Sequence, residues 1–331
     1  MNFQGFLLYK CGLMKLRIRQ KALSFKQYYS ASNPKFQIDS PEIVYMADGR
    51  ISPGGLGDRL HGIISLYLYC KKKGYKFKVN FCHPFRLKDY LLPNKVNWDI
   101  DPEKLSYNSE QTTVIPLFCT YKKYGMTVDE EAKYQHAFLD SFIKTDKKQY
   151  HIYTNAHFAY TPNIYSTAFH ELFMPVQPLE EAINQNKKNI GGEYIAIVLR
   201  FQSLLGDFKE ADFPTLPVDE QKRLMEKVYS KIQELYDERH KGQKVLITSD
   251  SRKFLDYVSS LDYVYTIPGR VVHLTYTPAH DYNLHLKSFV DLMMLADAQK
   301  IYLLVTGDMF HSGFAQSASF INDKPYEEII F

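Results

Sequence analysis

"PEIVYMADGRISPGGLGDRLHGIISLYLYCKKKGYKFKVNF", residues 41–81, carries the pattern on which the fold turns. Residues 41–50 read as a short first strand running into a turn that holds Gly54, Gly55 and Gly57. Ile63, Ile64, Leu66, Tyr67 and Leu68 follow as the apolar run of a helix, and Gly74 supplies its stop. "YKFKVNF" then alternates as a strand does. Strand, helix and strand in succession form the unit from which parallel sheets are built. Glycines permit unusual backbone angles and remove side chains where a ligand must come close. The helix points its free N–H groups and positive dipole end back at the same turn. Asp58, Arg59 and His61 open that helix. The arrangement suits an anion or a sugar, and it equally suits a plain glycine turn ahead of a buried helix. Its spacing, G-G-x-G-D-R, fits neither the Walker loop nor the dinucleotide fingerprint.

The bulk composition narrows the class. A chain of 331 residues is long enough for two domains with separate cores. Apolar residues at 45% and charged residues at 24% match a folded globular protein. The 26 Tyr and 22 Phe serve either stacking on sugars or an aromatic-rich core. A net charge of +4 is too mild to argue for nucleic acid, and none is expected as a partner. Cysteines 11, 70, 82 and 119 show no metal-ligand spacing, so a reduced cytoplasmic protein without a disulfide framework is expected. No apolar stretch has the length to cross a bilayer. Residues 1–40 form a basic segment in which Lys10, Lys15, Arg17, Arg19, Lys21 and Lys26 interrupt apolar residues. Residues 1–26 read either as an amphipathic helix lying on the inner face of an anionic membrane or as a helix packed on the protein body.

Around residue 172 the text changes. "FMPVQPLEEAINQNKKNIGGE" gives a proline entry, a polar helix and a glycine exit. A second strand–helix series follows: strand 194–201, helix 219–239, strand "KVLITSD", helix "SRKFLDYVSSL", strand "VYTIPG", helix "HLKSFVDLMMLADAQ" and strand "KIYLLVTG". Continuous apolar runs such as "IAIVL" suit strands buried on both faces. The expectation is two α/β domains, residues 41–172 and 173–331, with a ligand held in the cleft outside the strand ends.

In the second domain, polar residues gather where strands end. Arg200 closes a strand so apolar that its charge needs a partner, either a forked phosphate or a neighbouring carboxylate. Ser249 and Asp250 end the next strand. There Asp250 serves equally as an acceptor for a base or ribose and as an ordinary helix cap. "VTGDMFHSGFAQSASF" places Gly307, Ser312 and Gly313 before a helix bearing Ser317, a further helix N-terminus able to hold phosphate.

The order GGLGDR, strand ending in Arg, strand ending in Ser-Asp, and Ser/Gly/Phe loop resembles the fucosyltransferase superfamily. Bacterial α-1,2- and α-1,6-fucosyltransferases and protein O-fucosyltransferases belong to it. The resemblance spans roughly residues 41–320 and implies the GT-B fold, two Rossmann-like domains facing a cleft, with residues 41–172 on the acceptor side and 173–331 binding nucleotide sugar. It implies an inverting, metal-independent transferase that moves fucose from GDP-fucose to a glycan, as in bacterial surface polysaccharide or glycoconjugate synthesis, with no cofactor beyond the nucleotide sugar. The family's His-x-Arg-Arg motif falls on Val198, Leu199, Arg200 and Phe201, with Asp207 further on, so only the arginine at the diphosphate is retained. By the same correspondence Ser249 and Asp250 contact the guanine end, and Ser312, Gly313, Phe314 and Ser317 contact phosphate and base. Gly55 and Gly57 fall on the family's N-domain loop, with Asp58 where an Asn is usual. The lost His and second Arg leave room for another nucleotide sugar, or for an inactive nucleotide- or glycan-binding homologue.

Inversion needs stabilisation of the leaving diphosphate, assigned to Arg200 and the helix after Ser312. It also needs an acceptor for the incoming hydroxyl proton, assigned to Asp58. Arg59 and His61 are expected at the acceptor. His273 and Asp291 are weaker candidates, Asp291 as a brace of the nucleotide pocket. Asp99 and Asp101 in "WDID" match a metal-binding D-x-D but lack its strand context and are read as structural.

Overall fold

The computed structural model describes residues 14, 18, 22, 28, 35–38, 40–118, 125–144, 146–158, 161–208, 213–271 and 281–331. His273 and most of the basic segment 1–26 lie outside them. The chain divides into two compact units, Met1–Leu87 with Leu92–Met174, and Lys88–Leu91 with Pro175–Phe331.

The first unit opens with β1 (Glu42–Ala47), α1 (Leu56–Lys73) and β2 (Lys76–Phe81). The short β3 (Leu91–Pro93) comes next, followed by β4 (Thr112–Leu117), α2 (Val128–Phe142), β5 (Gln149–Thr154), α3 (Pro162–Leu172) and the short β6 (Phe173–Pro175). Its sheet runs β2-β1-β5-β4 with every pair parallel. All six residues of β1 are buried, as a central strand covered on both faces requires. Helix α1 ends at Gly74, which takes a left-handed φ of 71° and donates its N–H to the Cys70 carbonyl. Gly62 lets α1 approach the sheet closely: a Cβ there would stand 2.2 Å from the Thr154 carbonyl oxygen. Tyr28 joins the core formed by Val44, Met46, Ile100, Leu105, Val114 and Tyr153.

The second unit contains α4 (Gln177–Ile190), β7 (Tyr194–Leu199), α5 (Val218–Leu235), β8 (Lys244–Ser249), α6 (Arg252–Val258), β9 (Val264–Tyr265), α7 (Tyr282–Asp297), β10 (Ile301–Val305), α8 (Gly313–Ile321) and β11 (Tyr326–Ile330). Its parallel sheet has the order β11-β10-β7-β8-β9. Renumbered within the unit, that is the 3-2-1-4-5 order of a Rossmann sheet. Its topological switch point, where such sheets bind ligands, lies outside the C-terminal ends of β7 and β10. The first unit departs from that order, because β5 inserts between β1 and β4.

Most expected elements are present. Strands β4 and β5 match the short strands that "TTVIPLF" and "QYHIYTN" predict, whereas helices α2 and α3, the short β3 and β6 and the edge strand β11 are not among those expected. Helix α2 begins with a capping box, Thr127 accepting from the Glu130 N–H while Glu130 accepts from the Thr127 N–H. Among the described residues no helix is long and apolar enough to cross a membrane.

Candidate functional site

In the first unit the glycine turn connects β1 to α1, so the sheet's C-terminal edge presents it. Gly55 is the residue that caps α1, and its N–H donates to Asp58 Oδ2 at 3.1 Å. Gly54 has φ +95°, and a Cβ there would meet Asp58 Oδ2 at 2.3 Å. Glycine is therefore required at 54 both for the angle and for the space. Gly57 is buried in the first turn of α1. Asp58 stays open to solvent at its edge while the surrounding protein crowds it. That crowding raises its pKa, opposed by the Gly55 amide and by Arg59.

Arg59 and His61 do not sit as expected for acceptor contacts. Arg59 is 2% exposed. Its Nε donates to the Gly54 carbonyl at 3.0 Å and its Nη1 to the His83 carbonyl at 2.5 Å, with the guanidinium over the Phe81 ring at 4.9 Å. It is a clamp between the glycine turn and the loop after β2. His61 packs against His157 and Tyr165, with ring centroids 4.8 and 5.2 Å away. Burial, helped by His157, pushes its pKa down to about 3, so the ring is neutral at physiological pH. The buried Tyr45 hydroxyl lies in the field of Arg59 and Asp58 and has no hydrogen-bond partner among the described residues. Nothing in the sequence distinguishes it from a core tyrosine on a strand.

In the second unit, Asp250 organises the turn after β7. Its Oδ1 accepts from the Phe201 N–H at 2.9 Å and its Oδ2 from the Gln202 N–H at 2.7 Å. Arg200 Nη1 stands 3.2 Å from the same Oδ2. Of the two partners expected for Arg200, the carboxylate is therefore present, and Asp250 is committed to the main chain and to Arg200. Its pKa is raised by burial and lowered by Arg200 and those amides. Gln202 holds φ +53°, a left-handed angle that costs a side-chain-bearing residue about 1–2 kcal/mol and that the Asp250 bond offsets. The Arg200 guanidinium lies 4.8 Å over the Phe208 ring, and its side chain keeps 16% exposure. Ser249 donates to Asp250 Oδ1 at 3.4 Å and accepts from the Ser251 N–H at 3.1 Å. Asp207 caps α6 by accepting from the Ser251 hydroxyl at 2.9 Å and the Lys253 N–H at 2.7 Å.

The loop after β10 comes to the same place. The Phe310 N–H donates to the Arg200 carbonyl at 2.9 Å, which ties the ends of β7 and β10 together across the switch point. Ser312 caps α8 and accepts from the Phe314 N–H at 3.3 Å. A Cβ at Gly313 would meet nothing within 4 Å, so the helix start is open. Ser317 is buried and donates back to the Gly313 carbonyl at 2.8 Å, while Phe314 is half-buried. A cavity of about 290 Å³ opens at the C-terminal end of β8, lined by Asp207, Ser249, Asp250, Arg252, Gly269 and Arg270. Behind it, the buried Asp291 pairs with Lys287, and a Cβ added at Gly269 would meet the Lys287 stem at 3.4 Å. Gln202, Gly269 and Lys287 have no signal in the sequence, because each acts through a partner distant along the chain. Asp101 caps a short 3-10 turn, its carboxylate accepting from the Glu103 N–H at 3.0 Å.

No protein-family model matches the chain, and no curated protein matches it in sequence. Solved structures do match in fold. The fucosyltransferase NodZ from Bradyrhizobium aligns with a TM-score of 0.56 at 13% identity, over 85% of this chain and 93% of NodZ. A NodZ α-1,6-fucosyltransferase co-crystallised with GDP aligns equally well, at 0.56 and 13%, over 85% and 92%. A point mutant of Arabidopsis thaliana FUT1 in complex with GDP aligns at 0.55 and 12%, over 95% of this chain and 74% of that one. The chain has the α/β, parallel-sheet fold of these fucosyltransferases, the GT-B-like architecture expected from its motifs.

Proposed function

We propose that the chain is a glycosyltransferase that transfers fucose from GDP-fucose to a glycan acceptor. The observation that carries this reading is what gathers along the strand ends of the second unit's sheet. Arg200, the open N-terminus of α8 and the cavity beside Ser249 and Asp250 lie on the C-terminal edge of a Rossmann-ordered sheet. The GDP and GDP-fucose complexes of its structural neighbour NodZ support the choice of nucleotide.

In this reading the acceptor oxygen attacks the anomeric carbon, the bond from that carbon to the diphosphate breaks, and GDP leaves with the electron pair. Arg200 and the α8 amides stabilise the charge on the departing diphosphate. Asp58 takes the proton of the acceptor hydroxyl, and its raised pKa makes it a better base than an ordinary carboxylate. Side chains and helix ends do what a metal ion does elsewhere, so turnover survives EDTA. The test is a thermal-shift panel with GDP, UDP, CMP and ADP, followed by transfer assays. GDP should give the largest stabilisation, and Asp58→Asn should keep it while turnover falls about a hundredfold. Equal stabilisation by UDP overturns the GDP assignment. The Arg200–Asp250 ion pair also favours a second reading, a nucleotide-binding homologue without activity, and slow release of fucose from GDP-fucose by the wild type excludes it.

A further inference from the structure

The loop after β2 carries groups that the proposed chemistry does not use. Cys82 and His83 both donate their N–H groups to the Ala47 carbonyl at 3.1 Å, which fixes the loop to the end of β1. The His83 imidazole is exposed and lies against Gly49, whose φ is +85° and whose missing Cβ would stand 2.9 Å from His83 Cγ. The His83 carbonyl is held by Arg59. Beyond it, Phe85 is buried and stacks on Phe81 at 5.1 Å, and Leu87 is buried as well, which turns Arg86 between them outward to solvent. Neither Arg86 nor the His83 ring makes an ion pair or side-chain hydrogen bond among the described residues. Arg50, on the neighbouring strand end, differs: Asp48 already pairs with it, and its Nη1 reaches the Tyr107 hydroxyl at 2.9 Å.

Two polar side chains are thus held on a rigid loop beside the glycine turn, on the C-terminal edge of the first sheet, with their binding capacity unspent. An exposed guanidinium and an exposed imidazole three residues apart on one anchored loop offer donors for a carboxylate or a phosphate. We propose that the acceptor is an acidic glycan, its anionic group held by Arg86 and its neighbouring hydroxyl by His83. This rests on the glycosyltransferase reading and specifies its acceptor.

The test measures binding of methyl β-D-glucuronide, glucose 6-phosphate and neutral methyl β-D-glucoside to the whole chain saturated with GDP, by calorimetry. At least one acidic sugar should bind about tenfold or more tighter than the neutral one, as expected for one hydrogen-bonded charge contact. The glucuronide and the phosphate arms distinguish the two anions. Arg86→Ala should abolish the preference, and His83→Ala should weaken both acidic sugars, with GDP affinity unchanged in each variant. Both positions are exposed, so the fold should persist, and circular dichroism checks it. Equal binding of acidic and neutral sugars, or a preference that survives Arg86→Ala, overturns the proposal. Failure of GDP itself to bind overturns the transferase reading instead, and the sugar preference can still be measured without it.

Discussion

Each unit places an arginine near the loop that follows a central strand, Arg59 at the start of α1 and Arg200 directly after β7, and the two arginines are used in opposite ways. Arg59 is turned inward, 2% exposed, and its hydrogen bonds go to the Gly54 and His83 carbonyls. Arg200 lies at the surface of its unit, shares one carboxylate with two main-chain amides, and keeps part of its guanidinium exposed. Carbonyl partners satisfy N–H donors without cancelling charge, so burial lowers the Arg59 pKa. Such a residue holds loops together. A carboxylate partner balances the Arg200 charge, and the exposure that remains leaves the guanidinium within reach of solvent. The first turn uses its arginine as a buried clamp, and the second leaves its arginine partly exposed beside a carboxylate.

The largest effect should come from Arg59→Ala. It removes two main-chain bonds and a buried side chain, and should destabilise the protein by about 4 kcal/mol in urea unfolding. A loss under about 1 kcal/mol would mean the clamp is dispensable, and the contrast between the arginines would fall. Arg200→Ala should leave stability closer to wild type and act on turnover, lowering it by about 10²–10³-fold, the scale of one lost charge-stabilising donor. If instead it lowers stability while GDP affinity is unchanged, Arg200 is a structural partner of Asp250.

Glycine substitutions sharpen the same contrast at smaller scale. Gly54→Ala forces a left-handed alanine against Asp58 and should cost about 1–3 kcal/mol. Gly313→Ala meets open space and should change stability by less than about 0.5 kcal/mol. A further effect, in the first unit, concerns pH. His151 in the first unit is fully buried, and burial, aided by Arg50, pushes its pKa down to about 3. The folded state then binds fewer protons than the unfolded state between that value and an ordinary histidine pKa near 6.5. Stability should therefore fall as pH drops through this window, by about 1.4 kcal/mol per unit for this residue. His151→Gln should flatten the slope in unfolding measured from pH 7 to pH 4, and an unchanged slope would show that other groups set it.

Local signals were read well because they act within one turn of chain. Gly74 as a helix stop, the strand after it, and the helix that starts after Ser312 depend only on neighbours in sequence. Helix α2 shows the limit: its Thr127–Glu130 capping box is present in the text, but a polar helix with few apolar positions leaves little periodicity to read. Strand β9 is two residues long where six were expected, since "VYTIPG" pairs only at Val264 and Tyr265.

By itself, the sequence determined that this is an α/β protein of parallel sheets, with a glycine turn opening its first helix and polar residues closing the strands of its second half. Periodicity, capping and glycine conformational freedom are properties of short segments, so they survive without tertiary information. Only the tertiary structure decided what the charged residues do. Arg200 and Asp250 are fifty positions apart, and Arg59 reaches the carbonyl of His83 across another loop. Side-chain partners are chosen by which strand ends become neighbours in the sheet, and strand order depends on long-range packing of the whole unit. The same register of β1 against β2 brings His83 beside the glycine turn, where no spacing in the sequence would have placed it.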